Sequence, residues 1–528
     1  MSYLLQKKNL PTTALALLSG VLLMLAFPAF NYSELIWFGF IPLFFAIENR
    51  GYREVYWLTT LSGMVLVCGG YIWLGYVAEH FMEIPRPLNY LIWLAYGFYS
   101  AQLFALIFLV FTWLKKHSRI PPVLIFPMVT VTCWSLFPSL FLFNLANATA
   151  ELPLTLQGMS FVGTEGMDFI IALANITGYS LLKAVRQKSG FQSLILPLLL
   201  LAAWFGYGWQ SLAVWDQKVN EWSDKKIGIV QPNRRPSLNS VAPKPGYSYY
   251  YPMEMGMSQK MRSQKPDLIV WPEGNLLGFF YDSKIRKALL KATKELNIPI
   301  IFHDQMVERQ QGQKLFRNSS IWMTEKGHLG GIYHKQKLVL FGEYIPLLNR
   351  FNDWAQKNGL PVSIIPGDEN KIFLTGGMRI TPAICYEIMF SQFVAGKIGD
   401  EGKAKVILVQ SNDGWYGKGA QAAQHRSSTT LRAVENRVQV IHVVYNGSSS
   451  IVLPNGRFAF ISPFWKKGQW VVDMPFDPNS GGSFFSAHPY LFLNSVRFLT
   501  LILLAWSFWR IRIQKIPVSK KKVLQNLT

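Results

Sequence analysis

The chain has 528 residues, too many for one ordinary domain, and half of them are hydrophobic while only 16% are charged. With 18 Trp as well, this is the profile of a polytopic membrane protein rather than a soluble one. The formal net charge of +22 sits largely in short Lys and Arg clusters beside apolar runs, as on the cytoplasmic flanks of membrane spans, and so argues against a nucleic-acid partner.

In chain order, apolar segments are expected to cross a bilayer at about 12–30, 35–47, 57–78, 89–114, 120–143, 167–182, 191–215 and 489–509, giving about eight transmembrane helices. Several reach the roughly 20 residues that a spanning helix needs. The first follows Lys7 and Lys8, lacks a clean small-x-small cleavage site, and reads as retained. Basic residues then fall at alternate loops: Arg50 and Arg53, then Lys115, Lys116 and Arg119, then Lys183, Arg186 and Lys188. Arg510, Arg512 and Lys520 to Lys522 follow the last segment, whereas the loop at about 144–166 holds Glu151 and Glu165 and no Lys or Arg. The positive-inside rule therefore predicts both termini in the cytoplasm and the large polar segment on the far side. The expected division is a membrane bundle over 1–215, an extracytoplasmic domain over 216–488, and a last helix with a basic tail over 489–528.

The polar segment reads as strands at Lys226 to Gln231, Asp267 to Trp271, Ile298 to Phe302, Arg379 to Cys385, Val406 to Gln410 and Val438 to Tyr445. Helix-like runs lie between them, among them Asp282 to Leu296 and Ala420 to Arg437, so the pattern predicts an α/β domain. Residues 232–260, rich in Pro, Ser and Tyr, read as an irregular loop.

Three fragments of this domain place chemistry at strand ends. They are Trp271-Pro272-Glu273, Tyr333-His334-Lys335 with Phe341-Gly342-Glu343, and Ala383-Ile384-Cys385-Tyr386-Glu387. Cys68 and Cys133 fall in apolar segments and read as small buried hydrophobes, which leaves Cys385 without a disulfide partner in the polar half. A strand end is where α/β proteins place reactive groups, and a thiol there needs a base and a positive charge nearby. Glu273 and Lys335 could supply these if the fold brings them together. Metal-ligand spacings of Cys and His do not occur, so neither a metal nor a cofactor is expected. His425, Arg432 and Glu435 carry blander expectations: a surface or sheet-contact His, and a helix ion pair at i,i+3.

These three fragments resemble the glutamate, lysine and cysteine motifs of the nitrilase superfamily. Asn412-Asp413-x-Trp415-Tyr416-Gly417 and Arg432-Ala433-x-Glu435-Asn436-Arg437 resemble later signatures of the same family. Such a domain inserted before the last of eight spans, together with Ala26-Phe27-Pro28-Ala29-Phe30 near the start, is similar to the apolipoprotein N-acyltransferases of bacterial envelopes. The resemblance implies a nitrilase-like αββα sandwich carried on the membrane bundle, in the bacterial inner membrane with the catalytic domain on the periplasmic side. It implies Cys385 as nucleophile, Glu273 as general base and Lys335 as oxyanion stabiliser, with Glu343, Tyr386 and Glu387 in support. It also implies a phospholipid as acyl donor and the amine of a diacylglyceryl apolipoprotein as acceptor, through a thioester. A membrane-tethered amidase, or a transferase with another amine acceptor, is the alternative that the same triad allows. Gly274-Asn275 after the glutamate, Leu340 before Phe341 and the surroundings of Trp134 depart from the family pattern and bear on substrate preference.

Overall fold

The computed structural model describes residues 10–234, 242–274, 277–310, 313–340, 342–344, 364–399 and 403–514. Lys7, Lys8, Asn275, Phe341 and Lys520 to Lys522, used above, lie outside the described residues.

The amino-terminal part is helical: α1 (Leu10–Ala26), α2 (Ile41–Ile47), α3 (Tyr52–Gly70), α4 (Trp73–His80), α5 (Leu88–His117), α6 (Pro122–Leu136), α7 (Met159–Gln187) and α8 (Ile195–Asn220). These helices are apolar around much of their circumference rather than along one stripe, as helices facing lipid must be. Their inner faces meet in an aromatic core in which Phe40, Phe44, Phe108 and Phe126 pack ring against ring. Their outer faces leave large side chains bare, Trp209 of α8 being 72% exposed. Close approach between α1 and α3 requires Gly20, where a Cβ would stand 2.6 Å from the Ser62 carbonyl.

The expected count of eight spans is not met on length. Four helices are long and apolar enough to cross a membrane, α5, α7, α8 and the carboxy-terminal helix, and a fifth if α3 and α4, bent by 59°, form one span. The other expected segments are cut short for local reasons. The one at 35–47 is broken between a 3-10 turn, Ser33–Trp37, and α2, which begins at Ile41 with Pro42 in its first turn. The one at 120–143 ends as a helix at Leu136, because Phe137 precedes Pro138 and takes an extended conformation. Helix α1 has 17 residues, about 25 Å at 1.5 Å per residue against a hydrocarbon thickness of about 30 Å.

After α8 the pattern changes to two six-stranded sheets. The first contains β1 (Ser223–Gln231), β2 (Leu268–Val270), β3 (Ile300–Gln310), β4 (Gln313–Met323) and β5 (Leu329–His334). The second contains β6 (Phe373–Thr375), β7 (Met378–Ile384), β8 (Val406–Ser411), β9 (Gln439–Val444), β10 (Ser450–Val452) and β11 (Phe458–Ile461). The last strand, β12 (Gly468–Phe476), returns to pair antiparallel with β1, so the first sheet runs β12-β1-β2-β3-β4-β5 and the second β11-β10-β9-β8-β7-β6. Strands β1, β2 and β3 are parallel, as are β7, β8 and β9.

Alternation fixes which faces meet. Ile227, Ile229, Leu268, Val270 and Ile301 point from the first sheet into a shared core with Ile380, Leu408, Ile441 and Val443 of the second. The intervening Val230, Ile269, Ile300 and Phe302 point outward beneath α9 (Met253–Met261) and α10 (Ser283–Leu296). Ile407, Val409 and Val440 likewise point beneath α11 (Ser391–Ile398) and α12 (Gln421–Asn436). The layers are therefore helix, sheet, sheet, helix. Met253–Met261 corrects the reading of 232–260 as irregular throughout: four Met side chains bury against the sheet, and tertiary packing overrides the loop-like flanks. The chain closes with α13 (Leu491–Gln514), packed against α6 and α5.

Helix α12 also joins the two parts. Arg432 pairs with Glu435 at 2.5 Å, as the i,i+3 spacing suggests, but both are buried rather than at the surface. Glu435 accepts the Thr164 backbone N–H at 2.6 Å, just past Gly163, where α7 kinks at φ +70°. Arg437 reaches Gln157, Ser160 and Ser211 at 2.8, 3.3 and 3.1 Å, and Asn147 donates to Ser427 and Ser428.

Candidate active site

The carboxyl ends of β2, β5, β7 and β8 converge, and each releases one functional group. After β2, Trp271 is buried against Phe302 and anchored through its indole N–H to Ser258 at 2.9 Å. Pro272 then turns the chain so that Glu273 enters the space between the sheets. The Asn412 N–H donates to Glu273 Oε2 at 3.2 Å, and the Cys385 thiol hydrogen-bonds the same carboxyl. Burial raises the Glu273 pKa, Lys335 opposes this, and Glu343 and Asp413 add to it; the net result is about 7.

After β5, Lys335 is only 1% exposed and its Nζ donates to Glu343 Oε1 at 2.8 Å. Burial works against its charge, yet Glu343, Glu273 and Cys385 together hold its pKa above the ordinary lysine range. Glu343 is itself held by Asn318 Nδ2 at 2.5 Å and the Val339 N–H at 2.8 Å. Cys385 follows β7 in the left-handed region, φ +50°, a conformation unfavourable for a residue with a Cβ and typical of functional positions. Burial and the neighbouring Glu273 push its thiol well up, Lys335 pulls the other way, and the resting sulfur is protonated. The geometry thus brings Glu273, Lys335 and Cys385 into one cluster: a carboxylate able to take a proton near neutrality, a fixed cation and a thiol.

The three supporting residues do different things. Glu387 is fully buried and accepts from the Tyr333 hydroxyl at 2.7 Å and from the N–H groups of Gln336, Lys337 and Ile384 at 2.7, 3.1 and 2.7 Å. It therefore ties the loop carrying Lys335 to the strand end carrying Cys385. Lys397 donates to the Tyr333 hydroxyl at 2.6 Å behind it. Tyr386 donates to the Leu140 carbonyl at 3.1 Å, reaching from the Cys385 turn into the segment after α6. Glu343 stands directly on Lys335.

Sequence reasoning missed Ser411, and it noted Asn412 and Asp413 only as part of a family signature, with no role at the site. Ser411, Asn412 and Asp413 sit at a third parallel strand end, and the strand-end rule that singled out Glu273 and Cys385 would have found them. His425, expected at the surface or against a sheet, is buried beneath Cys385. Asp413, His425 and His442 form a compact group of metal-ligand types. However, Asp413 Oδ1 and His425 Nδ1 stand at hydrogen-bond distance, 2.8 Å, with a proton between them, and His425 Nε2 is engaged by the Cys385 carbonyl at 3.1 Å. Only His442 has free ring nitrogens, and one ligand does not hold an ion.

Cys385 borders an apolar cavity lined by Tyr71, Trp73, Phe141, Phe143, Met389 and Tyr416, among others. Tyr71, Phe141, Phe143 and Gln424 are shared with a second apolar cavity, which runs between α3, α5 and α6 past Leu66, Ser100, Leu103 and Trp134.

The carbon-nitrogen hydrolase family matches residues 230–479, and the apolipoprotein N-acyltransferase N-terminal domain matches residues 19–177. Among similar curated proteins, an apolipoprotein N-acyltransferase of Geobacter metallireducens is 26% identical over 495 residues, covering 90% of this chain and 92% of that protein. One of Pseudomonas aeruginosa is 27% identical over 477 residues, covering 87% and 89%. Among solved structures, an amidase of the nitrilase superfamily from Nesterenkonia matches at 17% identity and TM-score 0.36, over 52% of this chain and 95% of that one.

Proposed function

Because the chain belongs to the apolipoprotein N-acyltransferase family within the nitrilase superfamily, we propose that it moves a fatty acyl chain from a membrane phospholipid to the amino-terminal amine of a diacylglyceryl apolipoprotein. In this reading Glu273 takes the Cys385 proton as the sulfur attacks the ester carbonyl. The charge that develops on the carbonyl oxygen falls to Lys335, which Glu343 holds in place. Collapse breaks the ester C–O bond, Glu273 returns the proton to the departing lysophospholipid oxygen, and the acyl group remains as a thioester. The acceptor amine then attacks the thioester carbonyl and gives a proton to Glu273, the C–S bond breaks, and Glu273 passes that proton to the departing sulfur. A carboxyl poised near pH 7 suits both proton transfers.

One observation carries the assignment to lipid substrates: Cys385 borders an apolar, aromatic-lined cavity that shares Tyr71, Phe141 and Phe143 with a second one between the helices. An acyl chain lying there would sit in surroundings like those it left. Eight crossing segments are part of the proposal. The three shorter apolar helices and the bent pair α3–α4 join the four long ones, with both termini in the cytoplasm and the sheets on the periplasmic side of the inner membrane.

Intact mass of the full chain incubated with phospholipid tests the reading. Wild type is expected to gain one fatty-acyl mass that Cys385→Ala does not, and a diacylglyceryl-cysteine peptide is expected to remove it while gaining the same mass. Loss of the acyl group to water, with the peptide unchanged, would assign a hydrolase instead.

A further inference from the structure

The nucleophile turn is held from below by a group that the proposed chemistry does not use. His425 stands on α12 with both ring nitrogens facing acceptors. Nδ1 meets Asp413 Oδ1 at 2.8 Å, with Ser411 Oγ at 3.3 Å, and Nε2 meets the Cys385 carbonyl at 3.1 Å. A carbonyl oxygen only accepts, and so does an ionised carboxylate, so both bonds are made only by a ring that carries two protons. The surroundings agree. Burial opposes the charge, but Asp413 and the Cys385 carbonyl hold the His425 pKa above its ordinary value. Burial likewise opposes ionisation of Asp413, while His425 and Ser411 keep its carboxyl below the usual range. From β9, His442 packs edge-on at 4.8 Å; burial and the adjacent His425 bring it down to about 3, so it is neutral. Glu273, at the end of β2, is the remaining charged neighbour, and Arg426 on the same helix turns away to Ser448 and Glu151.

We propose that His425 is a positioning residue for acyl transfer: as an imidazolium pinned by Asp413, it holds the Cys385 carbonyl and with it the left-handed turn that aims the thiol at Glu273. The turn Ser411-Asn412-Asp413 then serves both partners, because Asn412 donates to Glu273 while Asp413 fixes His425. Loss of the second ring proton leaves a lone pair on Nε2 facing a lone pair on the carbonyl oxygen, turning an attraction into a repulsion. The nucleophile is therefore released at alkaline pH. This inference rests on Cys385 being the nucleophile, but not on the identity of donor or acceptor.

The test is the pre-steady-state acylation of the full chain by a short-chain p-nitrophenyl ester. That reaction needs an aimed thiol but neither phospholipid nor lipoprotein. Its rate is followed from about pH 5 to about pH 10, with Cys385→Ala as background. Wild type is expected to rise through the Glu273 titration, then fall above the ordinary histidine range. Asp413→Asn is expected to move the fall down by about one pH unit or more, and His425→Gln to slow acylation about tenfold to a hundredfold and abolish the fall. A merely structural His425 would change the yield or melting temperature of the variants and leave the pH profile in place. Superimposable profiles overturn the proposal, as does a wild-type rate that stays flat to about pH 10, a result needing no variant. A wild type that shows the ester profile but takes no acyl group from phospholipid overturns the proposed function and leaves this inference standing.

Discussion

Replacing Glu273 by Gln is expected to yield a protein that is inactive and more stable than wild type. The carboxyl pKa stands at about 7 against an ordinary 4.5, the main cause being burial. At 1.36 kcal/mol per unit, this corresponds to about 3 kcal/mol. The sign follows from which state holds the proton more tightly. A raised pKa means that the folded protein does, so unfolding releases a proton between about pH 4.5 and about pH 7, and stability falls as pH rises through that window. Below it the carboxyl is neutral in both states and carries no penalty; above about pH 8 the whole cost is present. Gln removes the charge and keeps an oxygen to accept the Asn412 N–H. Wild type and Glu273→Gln should therefore melt together near pH 4 and diverge by about 3 kcal/mol near pH 8, with roughly 2–4 °C expected per kcal/mol for an α/β unit of this size. Thermal unfolding in detergent, read by intrinsic fluorescence at a series of pH values, measures the divergence. A difference that does not vary with pH, or a variant that melts below wild type near pH 8, would refute the reasoning, because the buried charge would then not be the source of the cost.

Glu387→Ala leaves the N–H groups of Gln336, Lys337 and Ile384 and the Tyr333 hydroxyl without their acceptor; at about 1–3 kcal/mol for each such group, a loss of at least about 4 kcal/mol is expected in denaturant unfolding, with acylation lost as well. Lys335→Met should slow formation of the acyl adduct about 10²–10³-fold with little change in substrate KM, which steady-state kinetics would show. Ser100→Phe projects a ring into the second apolar cavity; adducts from long-chain phospholipids should slow while those from a short p-nitrophenyl ester should not, a contrast that intact mass resolves.

What could be read from the sequence followed the strength of local signals. Strands β2, β8 and β9 are rich in Val, Ile and Leu and buried on both faces, and the carboxyl halves of β1 and β7 are buried too, so their positions, and with them Glu273 and Cys385 at strand ends, were visible as apolar blocks. Strand β4 was not, because it carries Arg317 and Asn318 and owes its shape to pairing across a long hairpin, and β5 was marked only by the fragment Tyr333-His334-Lys335 at its end. Helix α12 was legible as a helix, but its polarity suggested exposure. Gln424, His425, Arg432, Glu435 and Arg437 are all buried, each satisfied by a partner far away in sequence, such as Trp73, Cys385 or Gln157. A one-dimensional pattern marks polarity and does not say where the partner stands. Helix lengths departed from the expected spans for a related reason: proline placement near Ile41 and Phe137 shortens helices that hydropathy alone would extend.

The contacts that α12 makes with α7 and α8 have a geometric consequence in a bilayer. Buried polar groups bridging two bodies do not slide; moving either body by one residue would strip Arg437 of Gln157, Ser160 and Ser211 and part Glu435 from the Thr164 N–H. The sheets are therefore locked to the helices at a fixed height, and the sulfur is locked with them. Such a molecule behaves as a depth gauge. With a phospholipid as donor, as proposed, it would meet the bond that the lipid presents at one level above the hydrocarbon, and groups lying higher or deeper would pass it by, whatever their chemistry.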